Sequence, residues 1–485
     1  MLLFGFVIII LAIRKECEMT EEKTAAKLRQ EELFLKKENG YDRMDETSIP
    51  AMHTYCDGYK QYLDNAKTER EAVKAAISLA KENGFVPFRR GMSLKAGDRV
   101  YASNRGKSLM LAVIGTRPLD EGVNIGAAHI DSPRLDLKPY PLFEDGGFSL
   151  LKTHYYGGVR KYQWLSVPLE LRGTIIHKDG SSVEVTLGGE PGDPFLVIPD
   201  LLPHLAKAQS EKPLGKAVDP EALNIFLGSR PYPDTEASDR FKLAALDLLN
   251  QKYGITEEDF LSAELCAVPA YSACDVGLDR SMIGAYGQDD RVCGYAALKG
   301  LFDAKTPGKT AVCVLADKEE IGSMGVSGMQ SQAFDTFIDD LCDCLGAHLR
   351  TCYENSFCLS ADVSACFDPN FPDVYDKRNS SFINQGVSLC KYTGTGGKMG
   401  ASDASAEVMG HIRIVLNCAN VLWNVSELGK IEAGGGGTVA LFMANRNIDT
   451  VDAGVPVLGM HSPFEVTGKL DCYMTYLAMK AVYEA

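Results

Sequence analysis

The sequence predicts an α/β protein in which a second, β-rich region is inserted between two parts of the main domain. Short apolar runs rich in β-branched residues, such as Thr310–Leu315, end at polar loops, as buried strands of open α/β sheets do. Longer segments carry apolar residues at helical spacing. Residues 141–265 instead show paired strand patterns with an Asp-Gly turn at Asp179–Gly180, which is typical of antiparallel hairpins.

The composition sets limits on the partners. A chain of 485 residues predicts one large and one smaller domain, and 45% hydrophobic with 24% charged residues is ordinary for a globular protein. The net charge of −15 argues against nucleic acid or an anionic membrane as the main partner. The 14 cysteines are scattered without a Cys-x-x-Cys pair, which favours buried thiols in a reducing cytoplasm.

Residues 1–18 differ in character from the rest of the chain. Leu2–Ile13 is almost wholly apolar, but it is shorter than the roughly 20 residues that span a bilayer. It also lacks the leading charge and the small-residue cleavage site of a secretory signal. We expect residues 1–18 to be an upstream extension or non-native start, with translation beginning at Met19. A weak membrane anchor is the alternative.

Residues 19–140 are expected to form the first part of the main domain. The predicted elements are helices over 20–38 and 55–83 and strands over Val100–Ala102 and Ser108–Ile114. A further apolar strand ends at His129, and Asp131 follows two residues later. A His-x-Asp pair after a strand suits an imidazole that binds a metal while a carboxylate fixes its orientation. A packed core histidine is the alternative.

The second part of the main domain, residues 266–485, begins its acidic motifs with Asp289 and Asp290. These residues open a predicted helix that runs to Leu301. The helix dipole by itself favours acids at that position. The functional interpretation is a carboxylate that bridges two metal ions.

Glu319 and Glu320 follow the apolar run that ends at Leu315. Adjacent acids repel each other, so they need a cation or a shared proton. If one of them bound a metal ion and the other acted as a base, the repulsion between the two carboxylates would be relieved. A solvated acidic turn is the alternative.

Two further strand ends carry single candidate residues. Asp362 follows the predicted strand Ser356–Ala361 and is otherwise explained as a turn residue. His461 follows an apolar strand. Ser462 and Glu465 form a capping-box pattern around Pro463, which predicts a helix from there toward the C-terminus.

Neither of two glycine-rich segments has a nucleotide-binding pattern. Residues 393–402, which include Lys398, do not have the P-loop spacing. The run Gly434–Gly437 lacks a dinucleotide-binding arrangement, but its glycines, among them Gly436, allow a ligand to approach the backbone closely. A flexible turn is the alternative.

Taken together, the strand-end and helix-start groups predict a two-metal site. They are His129, Asp289, Glu319, Glu320, Asp362 and His461. Imidazole and carboxylate ligands suit Zn²⁺ or a similar divalent ion. One histidine and one terminal carboxylate per ion, with one shared carboxylate, make up such a site.

In this order the motifs resemble those of the aspartyl aminopeptidase family of cocatalytic zinc exopeptidases (metallopeptidase family 18), its bacterial branch most of all. The motifs are His129-x-Asp131, Asp289-Asp290, Glu319-Glu320, Asp362 and Met460-His461-Ser462. The likeness covers the chain from about Met19 and includes the inserted region.

The resemblance implies a role for each site residue. It implies terminal ligands at His129, Glu320, Asp362 and His461, a bridge at Asp289, the general base at Glu319 and a partner of His129 at Asp131. Whether Asp289 or Asp290 bridges the ions stays open, as does the pairing of carboxylates with histidines. The implied cofactor is two Zn²⁺ per subunit, with Mn²⁺ or Co²⁺ as alternatives.

The resemblance also implies a fold and an assembly. It implies a phosphorylase/aminopeptidase-like catalytic domain with a mixed central sheet, interrupted by a dimerisation domain at 141–265. The expected assembly is a shell of twelve subunits built from dimers. The expected substrates are small peptides with a free N-terminus, and Lys398 would favour Asp or Glu there.

Two other functions remain open from the sequence. One is a related metal-dependent carboxypeptidase or deacylase, which would favour a free carboxylate or an acyl group over a free amine. The other is a catalytically silent shell or cargo-binding protein. The presence of Glu319 and of a complete ligand set argues against the silent shell.

Overall fold

The computed structural model describes residues 24–189 and 192–485. The part of the chain up to Arg43 and the part from Met44 to Ala485 form two separate compact units. In the first unit, helix α1 (Ala25–Leu33) begins after Thr24, whose side chain accepts a hydrogen bond from the backbone N–H of Lys27. The expectation for residues 1–18 lies outside the described residues. Within the described ranges, no helix is long and apolar enough to cross a membrane.

The second unit contains eleven α-helices among its described residues. They are α2 (Ile49–Asp64), α3 (Glu69–Glu82), α4 (Lys207–Ser210), α5 (Leu214–Ala217), α6 (Arg240–Tyr253), α7 (Gln288–Asp303), α8 (Ala333–Leu345), α9 (Leu349–Glu354), α10 (Ala406–Cys418), α11 (Ala440–Ala444) and α12 (Lys469–Glu484). The predicted single helix over 55–83 is two helices, because Thr68 and Glu71 form a capping box that starts α3.

The strands belong to three sheets. They are β1 (Val86–Pro87), β2 (Arg99–Asn104), β3 (Ser108–Val113), β4 (Val123–His129), β5 (Arg134–Asp145), β6 (Phe148–Tyr156), β7 (Leu169–Ile176), β8 (Ser182–Leu187), β9 (Asn224–Gly228), β10 (Ala263–Pro269), β11 (Cys274–Val276), β12 (Met282–Ala285), β13 (Thr310–Ala316), β14 (Phe357–Ala361), β15 (Ser364–Ala365), β16 (Val387–Cys390), β17 (Trp423–Val425), β18 (Asp449–Gly454), β19 (Pro456–Leu458) and β20 (Glu465–Gly468).

The central sheet has nine strands in the order β1-β2-β3-β13-β4-β14-β18-β16-β17. Strand β4 lies between β13 and β14 and is parallel to both, whereas β3 runs antiparallel to β13. The predicted α/β class with a mixed central sheet is therefore confirmed. In the register of β4 and β13, His129 pairs with Ala316, so the loop after β13 starts beside His129.

Helices cover both faces of the central sheet. On one face, Phe334 and Ile338 of α8 pack into a cluster with Ile125 and Val312. On the other face, α12 approaches so closely that a Cβ on Gly126 would lie 2.3 Å from the Tyr483 hydroxyl oxygen. Burial of both faces explains why every residue of β4 and β13 is buried and why most of them are apolar.

The second sheet is antiparallel throughout, in the order β8-β7-β10-β5-β6-β9. It has its own core, in which Trp164 is fully buried. Its strands run from Arg134 to Pro269, so the sheet extends beyond the predicted limits of 141–265 at both ends. The division into domains stays a prediction.

A third, five-stranded sheet has the order β11-β12-β20-β19-β15. Its strand β20 corrects the predicted helix start at Pro463, because residues 465–468 are extended and α12 begins only at Lys469. Glu465 therefore does not cap a helix. Strand β19 ends just before His461 and carries it to the edge of the central sheet.

Candidate metal centre

The six predicted metal-site side chains meet at one edge of the central sheet. His129 is the last residue of β4, Glu319 and Glu320 lie in the loop after β13, and Asp362 follows β14 directly. Asp289 comes from the first turn of α7, and His461 from the loop after β19. The parallel strands β4, β13 and β14 all end at this edge, which is where ligands of α/β sheets collect.

Asp289 lies between the two imidazoles. Its Oδ1 is 3.2 Å from Nε2 of His129, and its Oδ2 is 3.1 Å from Nε2 of His461. Glu320 Oε1 lies 3.5 Å from the same nitrogen of His461. On the other side, Asp362 Oδ1 lies 3.7 Å from Nε2 of His129. The carboxylates thus form two groups. Asp362 lies near His129, Glu320 lies near His461, and Asp289 lies near both histidines.

Each imidazole is oriented by a backbone carbonyl. Nδ1 of His129 donates to the carbonyl oxygen of Asp131 at 3.0 Å, and Nδ1 of His461 donates to that of Gly158 at 3.0 Å. With Nδ1–H engaged, Nε2 of each ring is available as a ligand atom. The Asp131 carboxylate itself is farther from His129, at 3.4 Å.

The Asp131 carboxylate fixes the acidic loop. Its Oδ1 accepts a hydrogen bond from the backbone N–H of Glu319 at 3.1 Å, and its Oδ2 accepts one from that of Glu320 at 3.2 Å. The hydroxyl of Tyr156 donates to the same Oδ2 at 2.8 Å. Because Asp131 is fully buried, these donors are what keeps its carboxylate in place.

Glu465 is a site residue that the sequence analysis explained only as a cap. Its Oε1 accepts from the backbone N–H of His461 at 2.8 Å, and its Oε2 from that of Asp289 at 3.1 Å. This buried carboxylate is therefore hydrogen-bonded to the backbones of both His461 and Asp289. Tyr156 was also missed, because the signal for both residues is long-range and has no local motif.

The two adjacent aspartates face different ways across a cis peptide bond. Asp290 is fully buried and accepts a hydrogen bond from the backbone N–H of His129 at 3.3 Å. Burial and the nearby Asp362 carboxylate raise its pKa well above the usual range. Of the pair, Asp289 is the one whose oxygens face both imidazoles.

The site carries more carboxylates than cationic groups. The pKa of Glu319 is raised to about 8, because burial and nearby carboxylates such as Asp362 raise it more than His129 lowers it. Burial would lower the pKa of His461, but the carboxylates of Asp289 and Glu320 raise it to about 10. A cluster that crowds acids together in this way is stabilised by added positive charge.

The donor set fits divalent metal ions. Asp289 Oδ1 and Glu320 Oε1 are buried and have no hydrogen-bond partner among residues 24–189 and 192–485. Ligand atoms of His129, Asp289 and Glu320 lie within 4.8 Å of one another, and so do those of His129, Glu319 and Asp362. Buried acceptors without donors, next to imidazole nitrogens, are what zinc ligands require.

Comparison with known proteins agrees with this chemistry. The family model described as "Aminopeptidase I zinc metalloprotease (M18)" matches residues 62–483. The chain belongs to the M18 family of zinc aminopeptidases. A probable M18 family aminopeptidase 1 from Clostridium acetobutylicum is 44% identical over 452 residues, which cover 92% of this chain and 97% of the relative.

Solved structures of M18 proteins share the fold. The crystal structure of an M18 aminopeptidase from Thermotoga maritima has a TM-score of 0.89 at 41% identity and covers 93% of this chain and 100% of that one. A structure described as the S. cerevisiae mApe1 dodecamer has a TM-score of 0.71 at 20% identity, covering 88% and 95%. The second likeness concerns the fold alone. As a member of the M18 family, the present chain is a metallo-aminopeptidase, a hydrolase.

In this M18 chain the metal-site residues line a cavity of about 540 Å³. Gly436 lies in its wall, and the apolar side chains of Leu428, Leu441, Phe442 and Met460 line it as well. The M18 site therefore combines a polar floor with partly apolar walls.

Lys398 lies in a neighbouring cavity of about 930 Å³. Thr393, Leu428 and Gly435 line both cavities, so the two adjoin. The Lys398 ammonium lies 3.2 Å from Asp403 Oδ2 and 3.7 Å from the ring centre of Tyr392. The structure thus places Lys398 apart from the predicted metal ligands and gives it an acidic partner from the protein itself.

Proposed function

We propose that this M18 aminopeptidase uses two metal ions to remove N-terminal residues from small peptides. The observation that carries the proposal is the position of Asp289, each of whose carboxylate oxygens faces a different imidazole. A carboxylate in that position bridges two ions. The ions are two Zn²⁺ per subunit, with Mn²⁺ or Co²⁺ as alternatives.

The distances between side chains support an assignment of the remaining ligands. His129 and Asp362 serve one ion, because their ligand atoms lie 3.7 Å apart. His461 and Glu320 serve the other, with ligand atoms 3.5 Å apart. Asp289 is shared, and Asp290 supports the backbone of His129 instead. When bound, such ions polarise the scissile carbonyl and make water acidic enough to deprotonate near neutral pH.

Glu319 is the general base of this proposal. Its Oε2 lies 3.9 Å from Nε2 of His129, in the wall of the cavity, while its backbone N–H is held by Asp131. The carboxylate takes a proton from the attacking water and later delivers it to the leaving amine. A base held in one orientation beside the substrate needs little rearrangement to reach the transition state.

The cavity lining favours a substrate with a free amine over one with a free carboxylate. Within the described parts of the chain it includes no lysine or arginine, the side chains that pair with a carboxylate, and two bound ions would offset the charges of Asp289, Glu319, Glu320 and Asp362. Membership of the M18 family also supports an aminopeptidase over the related carboxypeptidase.

We further propose a preference for acidic N-terminal residues, a dodecameric assembly and a cytoplasmic location. A preference for N-terminal Asp or Glu rests on Lys398 in the adjoining cavity. A dodecamer built from dimers through the second sheet is supported by the fold shared with the S. cerevisiae dodecamer. A reducing cytoplasmic location is supported by the cysteines of the described ranges, which are all free thiols.

The experiment compares Asp-, Glu-, Leu- and Lys-anilides with their N-acetylated forms. We expect cleavage of the free-amine substrates, loss of cleavage on chelation and return of cleavage with Zn²⁺, Mn²⁺ or Co²⁺. Glu319→Gln should retain bound metal and lose at least about 100-fold in kcat. Cleavage of only the acetylated forms would favour a deacylase, and no cleavage with any metal would favour a silent shell.

A further inference from the structure

The end of β6 lies against the metal centre although β6 belongs to the second sheet. Its last residue, Tyr156, donates a hydrogen bond to Asp131, and two residues later the carbonyl of Gly158 accepts one from His461. A segment of three residues therefore contacts His461 directly and reaches His129 through Asp131.

We propose that Tyr156 is a positioning residue for the metal centre, acting through Asp131. The inference rests on the proposed function and deepens it. The Tyr156 hydroxyl and the backbone N–H of Glu320 share Oδ2 of Asp131, and the backbone N–H of Glu319 binds Oδ1. Without the hydroxyl, the Asp131 carboxylate loses the one side-chain donor among these three.

The Tyr156 hydroxyl is suited to this role because it remains a donor. Burial and the Asp131 carboxylate raise the pKa of Tyr156 far above its usual value, so the phenol keeps its proton at any working pH. The ring is 8% exposed. Its oxygen therefore has little access to water, and Asp131 is its partner inside the protein.

The Tyr156 ring is also held from its other side. The Arg134 guanidinium carbon lies 4.1 Å from the ring centre, a close cation–π contact. Arg134 in turn donates to Glu69 at 3.0 Å and to Asp136 at 2.7 Å. Because α3 carries Glu69 and β5 carries Asp136, the orientation of Tyr156 is fixed by both the main domain and the second sheet.

The glycines after Tyr156 show how tightly this segment packs on the ligands. A Cβ on Gly157 would lie 3.1 Å from Oε2 of Glu320, and Gly157 has a positive φ of +73° that favours glycine. A Cβ on Gly158 would lie 3.0 Å from Nδ1 of His461. The strand end therefore reaches the ligands with no side chain in between.

The test is Tyr156→Phe, with Tyr155→Phe as the matched control. Tyr156→Phe removes only the hydroxyl and keeps the ring on Arg134, so the fold is retained. Tyr155 is the neighbouring residue on β6, is 40% exposed and points away from Asp131. The measurements are the Zn²⁺ dissociation constant by chelator competition, kcat and KM for a peptide anilide, and the midpoint of thermal unfolding.

We expect Tyr156→Phe to weaken Zn²⁺ binding by about 10- to 100-fold, the usual effect of removing a partner that orients a metal ligand. We also expect a lower kcat with an unchanged KM, because the hydroxyl faces Asp131 rather than the substrate cavity. Tyr155→Phe should match the wild type in all three measurements. Zn²⁺ affinity equal to wild type in Tyr156→Phe overturns the inference, whatever happens to activity. If the wild-type protein binds no metal, the proposed function itself is wrong.

Discussion

Glu465 accepts a hydrogen bond from the backbone N–H of Asp289, with 3.1 Å between Oε2 and the nitrogen. Its other carboxylate oxygen accepts one from His461. Glu465→Gln replaces one of these acceptors with an NH₂ group that faces a backbone donor. We expect the variant to lose about 10- to 100-fold in metal affinity or activity, as measured by chelator competition and initial rates.

Glu144→Gln is the control for that change. Glu144 also accepts two backbone hydrogen bonds, from Phe241 at 2.7 Å and Lys242 at 2.9 Å. It lies on β5 of the second sheet, and its two donors lie in the first turn of α6. Its replacement should lower thermal stability and leave metal affinity unchanged. Equal effects of both substitutions on metal affinity would contradict the role given to Glu465.

Asp289→Asn and Asp290→Asn should separate the two adjacent aspartates. Asparagine at 289 removes the charge that faces both imidazoles, so we expect fewer than two bound ions per subunit. Asparagine at 290 resembles the protonated acid that burial favours there, so both ions should be retained. Metal content by mass spectrometry after dialysis measures both. The reverse result would make Asp290 the bridge.

Lys398→Met tests the acidic preference. If Lys398 pairs with the substrate side chain, kcat/KM for a Glu-anilide should fall about tenfold or more, while that for a Leu-anilide should hold. Lys391→Met is the control, because Lys391 pairs with the same Asp403, at 2.8 Å, yet lies outside the lining of the 930 Å³ cavity. An equal fall for both anilides would show that Lys398 supports only its loop.

Asp471 predicts a pH dependence of stability. It is buried in the first turn of α12 and accepts hydrogen bonds from the backbone N–H groups of Asn384 and Gly386, each at 2.7 Å. Burial raises its pKa from 3.8 to about 7. The folded state thus binds more protons than the unfolded state between these values, and the stabilising contribution is lost as the pH rises from 3.8 toward 7.

Thermal unfolding of the metal-free protein between pH 4 and pH 8 checks this prediction. The midpoint of wild type relative to Asp471→Asn should fall as the pH rises to about 7 and then become constant. Asp376→Asn is the control. Hydrogen bonds from the Asn379 side chain and the Arg378 backbone lower the pKa of Asp376 below 3.8, so its pH dependence lies below this range and Asp376→Asn should run parallel to wild type. If the unfolding midpoints of both variants changed with pH in parallel with that of wild type, the raised pKa of Asp471 would be refuted.

The fold class and the site were predictable where the signal is local. Apolar runs such as Thr310–Leu315 end at polar residues, and the ends of parallel strands meet at one edge, so the approach of His129 to Glu319 follows from the sequence. The role of Glu465 did not follow, because a capping-box pattern explains the same letters. Residues 465–468 instead form β20, which pairs with β12 and β19, and this pairing overrides the local preference for a helix start.

The limits of the second sheet were also hidden from the sequence. Strand β5 begins with Arg134, Leu135 and Asp136, only a few residues after β4 ends at His129, so no change of composition marks where the second sheet starts. The contact between Tyr156 and Asp131 depends on that pairing. The role of Lys398 was predicted from the resemblance to the aspartyl aminopeptidases, which contains no information about its pairing with Asp403.

The position of β4 in the central sheet imposes an order on folding during synthesis. Strand β4 ends at His129, but its neighbours β13 and β14 begin only at Thr310 and Phe357. Every strand of the second sheet has been translated by Pro269, so that sheet can form while both edges of β4 are still unpaired. Distant parallel pairing is slow, and exposed apolar edges aggregate. We therefore expect the nascent chain to be most prone to aggregation between the synthesis of His129 and that of Ala361.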